Sequence, residues 1–382
     1  MKVKLSDAFE LQMGKTPPRN DRECWGEGHK WISISDIGST GKYIDATKEE
    51  ITDAGVSKSG IKVVPKGTVI MSFKLSIGKT AITAEDMYTN EAIMAFINKG
   101  RYEINTDYLY HMCKGIDWLA GTNKAVLGLT LNKATMSEKE IVIPSMAEQL
   151  HVVSVLDKMD ELIALRKEQL AKLDQLVKSR FMEMFGDCGH SSNKVLLEEI
   201  SEFVTVGIAN SATHAYADSG IVMLRNQNIK ENYLDENDLI YITPDFAKKY
   251  GSKQLAENDI LVIRTGYPGV ACLVPKKYEG CQTFTTLIVR LKNTAQAHAN
   301  YVCHYINSSF GKDYVEQSKV GVAQQNFGAK ALAKMPIVVP PMELQEQFAA
   351  VVEQTNKSKL AIQQSLDKLE LLKNSLMQDY FG

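Results

Sequence analysis

The sequence predicts an α+β chain built twice: two similar strand-rich domains, each followed by a long amphipathic helix. Three observations predict it. The first is a repeat of the helical segments. Ile141-Val-Ile-Pro-Ser-Met-Ala-Glu-Gln149 opens a pattern that runs to Phe181-Met-Glu-Met-Phe-Gly186, and Ile337-Val-Val-Pro-Pro-Met342 opens one that runs to Met377-Gln-Asp-Tyr-Phe-Gly382. Ile337 lies 196 residues after Ile141, and Gly382 lies 196 after Gly186. Self-similarity over so long a stretch is an architectural signal that precedes any local motif.

The second observation is that the repeat continues upstream. Val195-Leu-Leu-Glu-Glu-Ile200 answers Val3-Lys-Leu-Ser-Asp-Ala8 at an offset of 192, and Asn228-Ile229 answers Asp36-Ile37 at the same offset. Asn258–Ile263 with Gly269 answers Gly67–Ser72 with Gly78 at 191, and Asn300–His304 answers Asp107–His111 at 193. The third is a seven-residue frame in the helices. Leu156, Ile163, Leu170, Val177 and Met184 fill one core position, and Met159 and Leu173 the other. In the second helix Val352, Leu366 and Tyr380 share one row and Ile362, Leu369 and Leu376 the next. Arg166 and Arg180 interrupt the first helix, whereas Thr355, Lys359 and Lys373 interrupt the second at other heptad positions. Non-matching polar gaps suit two helices of one chain paired with each other better than identical partners. About 36 helical residues make a rod of roughly 54 Å.

The predicted boundaries are a first domain over residues 1–148, a helix over 149–190, a second domain over 191–346 and a helix over 347–382. Within the first domain, Lys30–Ile37 alternates as a strand entering a loop, and Pro65-Lys-Gly67 is turn chemistry before a buried strand at Thr68–Ser72. Thr80–Thr83 and Ala92–Ile97 read as further short strands. A helix starts near Asp107, with Asp107 or Thr106 placed to cap it.

Bulk properties exclude several classes. The formal charge of −2 and the balance of 19 Lys and Arg against 18 Asp and Glu over residues 1–140 give no global attraction to nucleic acid. A basic face must come from placement. No stretch has the length of a membrane span, and six cysteines without a CxxC pair point to free thiols in a cytoplasmic compartment. The chain lacks a Gly-rich cofactor loop with an acid-Pro-Pro-aromatic segment for methyl transfer. Ser76-Ile-Gly-Lys79-Thr80 lacks the upstream glycine of a phosphate loop. Cys272, Cys281, His298, Cys303 and His304 fit no common zinc spacing, and the recurrence of His304 as His111 suggests a structural role. A non-catalytic chain with no cofactor or metal of its own is the expectation.

What remains are polar loops with chemistry suited to nucleic-acid edges. Arginine matches guanine O6/N7, Asn and Gln match adenine N6/N7, and lysine holds phosphates. The second domain offers Arg225, Asn226, Gln227 and Asn228, then Arg264, Thr265 and Tyr267, then Lys319, Gln324, Gln325 and Asn326. The first offers Lys15 and Arg19, then Lys74, then Lys124, Thr130, Asn132 and Lys133. Arg264 falls near the position of Lys74, and Asn326 answers Asn132 at 194. Helix pairing is assigned to Leu156, Met159, Ile163, Leu170, Leu173 and Val177 against Val352, Ile362, Leu366, Leu369 and Leu376.

These features carry a family resemblance over essentially the whole chain. The paired Ile-Val-Ile/Val-Pro openings (Ile141–Pro144 with Glu148-Gln149, Ile337–Pro340 with Glu346-Gln347) and the long helices after them resemble the specificity subunit of a type I restriction-modification system. Gly128-x-Thr-x-Asn132 and Val322-x-Gln-x-Asn326 resemble the segment before that opening. The resemblance implies two target recognition domains, each reading half of a bipartite duplex DNA target. It also implies a pseudo-twofold antiparallel coiled coil that sets the half-site spacing and docks two modification (methyltransferase) subunits. S-adenosylmethionine, ATP and Mg²⁺ are then implied only for partners, the methyltransferases and the restriction (translocase/endonuclease) subunits. The near-neutral charge keeps a second reading open, in which two sheet-rich domains on a rod bind protein or glycan ligands.

Overall fold

The computed structural model describes residues 1–38, 41–74, 76–120, 131–186, 194–209, 213–319 and 326–382. The chain divides into two compact units, Met1–Lys167 with Gln364–Gly382, and Glu168–Gln363. Each unit therefore holds one strand-rich domain, the beginning of one long helix and the end of the other.

In the first unit a five-stranded sheet runs in the order Phe9–Met13, Ile93–Asn98, Val69–Ser72, Thr80–Thr83, Tyr43–Ile44. Its pairs are antiparallel except the last. Val69–Ser72 and Thr80–Thr83 are buried throughout, as short apolar runs covered on both faces should be. A second sheet joins Glu49–Ile51, Trp25–Ile32 and Tyr88–Thr89. The alternation at Lys30–Ile37 thus marks the end of a strand that starts at Trp25, and residues 33–37 form the turn after it.

The second unit repeats this plan. Ser201–Val206, Leu287–Leu291, Ile260–Val262 and Ala271–Leu273 form one sheet in that order, and Tyr216–Ala217, Ile240–Ile242, Ile221–Leu224 and Gln282–Thr283 another. Small shared features confirm the correspondence. Gly67 and Asn258 both turn with positive φ, at 74° and 67°. Gly14 and Gly207 each lie so close to a threonine carbonyl (Thr89, Thr283) that an added Cβ would sit 2.0 or 2.4 Å from its oxygen.

Each domain closes on itself before its long helix. Lys2–Lys4 pairs antiparallel with Glu140–Val142, with Val3 opposite Ile141, and Lys194–Leu196 pairs with Pro336–Val338, with Val195 opposite Ile337. Ile141 and Ile337 point into the cores. This explains why the apolar-Pro opening is repeated: the strand must pair and bury, then stop.

The long helices span Met146–Phe185 and Met342–Phe381. They start three and five residues before Gln149 and Gln347, the predicted beginnings of the two helices. Ser145 and Glu148 form a capping box: Glu148 N donates to Ser145 Oγ at 3.3 Å, and Ser145 N donates to Glu148 Oε2 at 2.9 Å. The crossing helix Thr106–Gly115 is capped by Asn105, whose side chain accepts from Tyr108 N at 3.0 Å, not by Thr106 or Asp107.

Gln149 ties the first long helix to that cap. Its Oε1 accepts from Asn105 N at 2.8 Å, and its Nε2 donates to Glu103 O at 2.9 Å and Pro144 O at 3.1 Å. In the second unit Gln345 makes the same three bonds, with His298 N at 2.8 Å, Gln296 O at 3.0 Å and Pro340 O at 2.7 Å. Both glutamines are fully buried. The counterpart of Gln149 is therefore Gln345, at the 196 offset, and not Gln347, which is exposed.

Within each unit the two helix segments run antiparallel. In the first, Lys373 pairs with Asp160 and Lys167 with Glu370. In the second, Lys359 pairs with Asp174 at 2.5 Å. The lysines that interrupt the second helix's stripe thus meet aspartates of the first. Leu156, Met159, Val177, Val352 and Leu366 are buried, and Ile163, Leu170, Leu173, Ile362, Leu369 and Leu376 are partly so.

Each domain also receives the far end of a helix. Tyr108 and Phe381 rings meet at 5.5 Å in the first unit. In the second, Phe185 meets Tyr301 at 4.8 Å and Phe348 at 5.6 Å. Tyr108 and Tyr301 hydroxyls donate to the equivalent carbonyls of Val142 and Val338, at 3.2 and 2.7 Å. His304 lies in this aromatic layer, donating from Nδ1 to Asn300 O at 2.8 Å, and burial lowers its pKa from 6.5 to about 4.

Two predictions follow from these buried groups. Gln345→Ala strands one buried amide and two carbonyls and should cost about 3 kcal/mol in urea unfolding, whereas Gln347→Ala should cost less than about 0.5 kcal/mol. His304 is neutral when folded, so the unfolded state binds the extra proton between pH 6.5 and about 4. Its contribution is present above pH 6.5 and is lost as pH falls to about 4, worth up to about 3 kcal/mol. Hydrogen exchange of the Tyr301–Asn307 amides at pH 7 and 4.5 should show a pH dependence that His304→Gln flattens. Equal pH dependence in both proteins would clear His304 of the effect.

Candidate nucleic-acid interface

In the second unit three segments converge. The first is the turn Arg225–Asn228, which follows the strand Ile221–Leu224. Arg225 N donates to Asn228 Oδ1 at 3.0 Å, and Asn228 Nδ2 donates to the carbonyls of Asp235 and Asn237 at 3.0 and 2.9 Å. The second is the loop Arg264–Gly269 after Ile260–Val262. The third is the segment entering at Asn326, which forms a β-bridge with Thr265.

Side chains knit them together. Asn226 Nδ2 donates to Thr265 O and Oγ1, both at 3.3 Å, and Arg264 Nε donates to Asn326 Oδ1 at 3.0 Å. Phe327 N donates to Arg264 O at 3.0 Å. Gln227 is exposed, and Tyr267 is 82% exposed at the loop tip. Among the described residues Arg225 Nε and Asn226 Oδ1 are buried without a partner, a costly condition for polar atoms. Arg225, Asn226, Gln227, Arg264, Thr265, Tyr267 and Asn326 thus share one polar surface.

Two expected readers belong elsewhere. Asn228 is fully buried with its amide committed to the turn, so it builds the site and cannot read an edge. Lys319 caps its own helix end, paired with Glu316 at 2.5 Å. Lys124, Thr130, Gln324 and Gln325 lie outside the described residues.

The first unit has the same framework with other side chains. Ser33 N donates to Asp36 Oδ2 at 2.8 Å, the counterpart of the Arg225–Asn228 turn. Gly78 N donates to Ser72 O and Gly269 N to Ile263 O, both at 2.9 Å, so the two loops have equal length. Arg264 therefore matches Phe73, which is buried, and not Lys74, which is exposed and matches Thr265. The asparagines also separate. Asn132 caps the helix Lys133–Ser137, accepting from Thr135 N at 2.9 Å, and its register partner is Gly328 before Ala329–Ala333. Buried Leu131 and Phe327 fix this alignment, at an offset of 196 rather than 194. Lys133 is exposed at the start of its helix.

Lys15, Arg19 and Lys74 occupy the edge near Glu91. Lys15 Nζ donates to Ser59 O and Gly60 O at 3.1 Å each. Arg19 pairs with Glu49 and lies over Trp25 at 4.0 Å and Trp31 at 4.9 Å. Burial pushes the Glu91 carboxyl upward, but a hydrogen bond from Thr16 and the charges of Lys74 and Arg19 outweigh it and hold it below its ordinary range.

The sequence pattern missed a groove of about 770 Å³ lined by Ser35, Lys42, Lys79, Lys114 and Tyr110. Lys42 donates to Asp157 and pairs with Asp107 at 2.9 Å, and the His111 ring meets Asp157 at 2.6 Å. Burial opposes the Lys42 charge, yet its bonds to Asp107 and Asp157 outweigh burial and raise its pKa. Burial lowers the pKa of His111, outweighing the hydrogen bond and charge of Asp157, which raise it. The Gly78-Lys79 pair closing the loop was the available signal for this groove. Among the described residues no helix is long and apolar enough to cross a membrane.

Comparison with known proteins places this arrangement. The family profile for the type I restriction modification DNA specificity domain matches residues 1–175 and again 192–371. The MjaIX specificity subunit of Methanocaldococcus jannaschii is 29% identical over 188 residues, covering 48% of this chain and 43% of that protein. The HindI specificity subunit of Haemophilus influenzae is 28% identical over 164 residues, and the chain matches 35% of its length. The EcoprrI specificity subunit of Escherichia coli is 22% identical over 98% of this chain and 88% of its own. A chain from a structure on complex assembly and conformational transition of the type I R-M system superposes with a TM-score of 0.64 at 16% identity, covering 100% of this chain and 97% of that one. The S subunit from M. genitalium superposes with a TM-score of 0.55 at 13% identity, covering 100% and 96%. The chain belongs to the family of type I restriction-modification specificity subunits, with two copies of the DNA specificity domain.

Proposed function

We propose that the chain is the non-catalytic DNA reader of a type I complex, each unit recognising one half of a bipartite duplex target. The observation that carries this reading is one loop framework used twice with different chemistry at its tips. Ser33 stands where the second unit has Arg225, and Phe73 where it has Arg264. A constant scaffold with exchanged edge chemistry is what reading two different half-sites requires. In the second unit Arg264 and Asn226 contact base edges, with Asn326 orienting the Arg264 guanidinium. Lys74 and Arg19 in the first unit, and Lys79 and Lys114 at its groove, hold phosphates.

The long helices set the spacing and dock two methyltransferase subunits, which bring the methyl donor. ATP-dependent restriction subunits join through them. Exposed leucines on the helices support the docking role: Leu165, Leu371 and Leu372 in the first unit, Leu176 and Leu360 in the second, at 45–72% exposure. These leucines lie outside the pairing stripe, so an apolar partner surface can cover them.

The test is binding by the chain reconstituted with its methyltransferase partner, using the bipartite site taken from methylated-base sequencing of the native genome. The complex should prefer that site over random duplex, with affinity falling steeply as salt rises. No preference for any bipartite duplex would sink the reading. Arg264→Ala should cost about 1–3 kcal/mol and relax discrimination at one position of the half-site read by the second unit, leaving the other half-site unchanged. Inserting one heptad into each long helix, about 10 Å per helix, should lengthen the tolerated spacer with both half-sites retained. An altered half-site would overturn the division of labour between helices and loops.

A further inference from the structure

Tyr267 is the most exposed large hydrophobic side chain among the described residues, and the loop that carries it is anchored on several sides. Ile263 N donates to Val270 O at 2.8 Å and Gly269 N to Ile263 O at 2.9 Å, closing the loop at its base. Asn226 holds Thr265 from one side, and the bridge to Asn326 holds it from the other. Gly266 and Gly269 turn with φ of 86° and 93°, and a Cβ on Gly269 would lie 2.8 Å from the Val315 methyls. Pro268 restricts the remaining backbone torsion. Among the described residues no hydrogen bond or ring contact engages the Tyr267 ring.

A fixed loop displaying an unused aromatic ring beside two arginines is a binding device rather than a core element. A tyrosine has few torsions to immobilise, so it offers a large rigid contact area at low entropic cost. Aromatic rings stack on every base, and the gain is tolerant of sequence. The first unit has Ser76 at the equivalent position of a loop of equal length, exposed and unable to stack.

We propose that Tyr267 is the affinity anchor of the second unit, its ring inserting against a base face at a parted step of the half-site. Such a wedge unstacks a base step and bends the duplex. Binding is then unequal between the halves: the second unit grips through stacking, and Arg264 with Asn226 supplies base identity. This inference rests on the DNA-reading function proposed above.

The experiment uses the full chain with its methyltransferase partner and a duplex library randomised in the second half-site. Tyr267→Ala should weaken binding about 10- to 100-fold across the whole library without reordering base preferences. Tyr267→Phe and Tyr267→Trp should stay within about threefold of the native protein, because the stacking face is kept. Native affinity in Tyr267→Ala, or a changed base ranking, overturns the anchor. So does loss of methyltransferase capture with DNA binding intact, which would make the ring a protein contact. The two proposals fail differently: if the native complex shows no bipartite preference the DNA reading falls, and if it shows one that Tyr267→Ala leaves unchanged only the anchor falls.

Discussion

Gln149 and Gln345 hold the junction on which the rest of each unit depends. A side-chain amide offers two donors and an acceptor in one plane. Here both ends are used to join three pieces of backbone: the segment before the crossing helix, that helix's cap, and the proline that ends the last strand. The bond set is the same in both units although the caps differ, Asn105 in one and His298 in the other. Because the glutamine lies in the first turn of a long helix, it fixes the angle at which the helix leaves its domain. Loops carried by the domain are thereby held at a defined orientation to the helix that begins beside them. An apolar residue at this position would leave three backbone groups unsatisfied, so packing alone cannot substitute.

The second constraint is the seam between helices. Lysines within an apolar stripe are expensive unless each finds a partner, and Lys359 and Lys373 find Asp174 and Asp160. Each pair lies within one unit, and the 14 residues from Asp160 to Asp174 match the 14 from Lys359 to Lys373, so both pairs keep one antiparallel register. Half-exposed ion pairs add little net stability. Their value is selective: a shifted register, or a helix paired with a copy of itself, would leave the same lysines without acids. The interruptions read in the sequence as defects of the heptad pattern are the features that specify which helix pairs with which.

Much of this is legible in the sequence. The 196-residue repeat exposed both helices, and the buried strands at Val69–Ser72 and Thr80–Thr83 followed from short apolar runs between turn residues. A short motif aligned by letters alone misleads. The dipeptide Glu148-Gln149 recurs as Glu346-Gln347, yet the buried position is Gln345. Asn132 and Asn326 correspond by letter, yet one caps a helix and the other orients an arginine. A repeat offset carries physical meaning only where burial agrees with it, and buried Leu131 with buried Phe327 sets the offset here. Periodicity also says nothing of which polar loop residues face outward, so it distinguishes neither buried Asn228 nor Lys79 at the groove.

The fate of one turn shows how the two units diverge without changing shape. Asp36 and Asn228 perform the same backbone task, each accepting from the residue three before it. The second Asp36 oxygen accepts from Lys48 N at 3.3 Å, and a carboxylate has no donor to offer a carbonyl. Asn228 has an amide nitrogen, which reaches two carbonyls and draws the 235–237 segment against the turn. Arg225 can then span to Asp238 O from the turn's first position, where the first unit has only Ser33. A change from carboxylate to amide beneath the surface thus supports a longer, charged side chain at the surface. The outer residues vary in chemistry because the inner ones preserve the geometry, and a chain built twice can in this way present two different faces from a single plan.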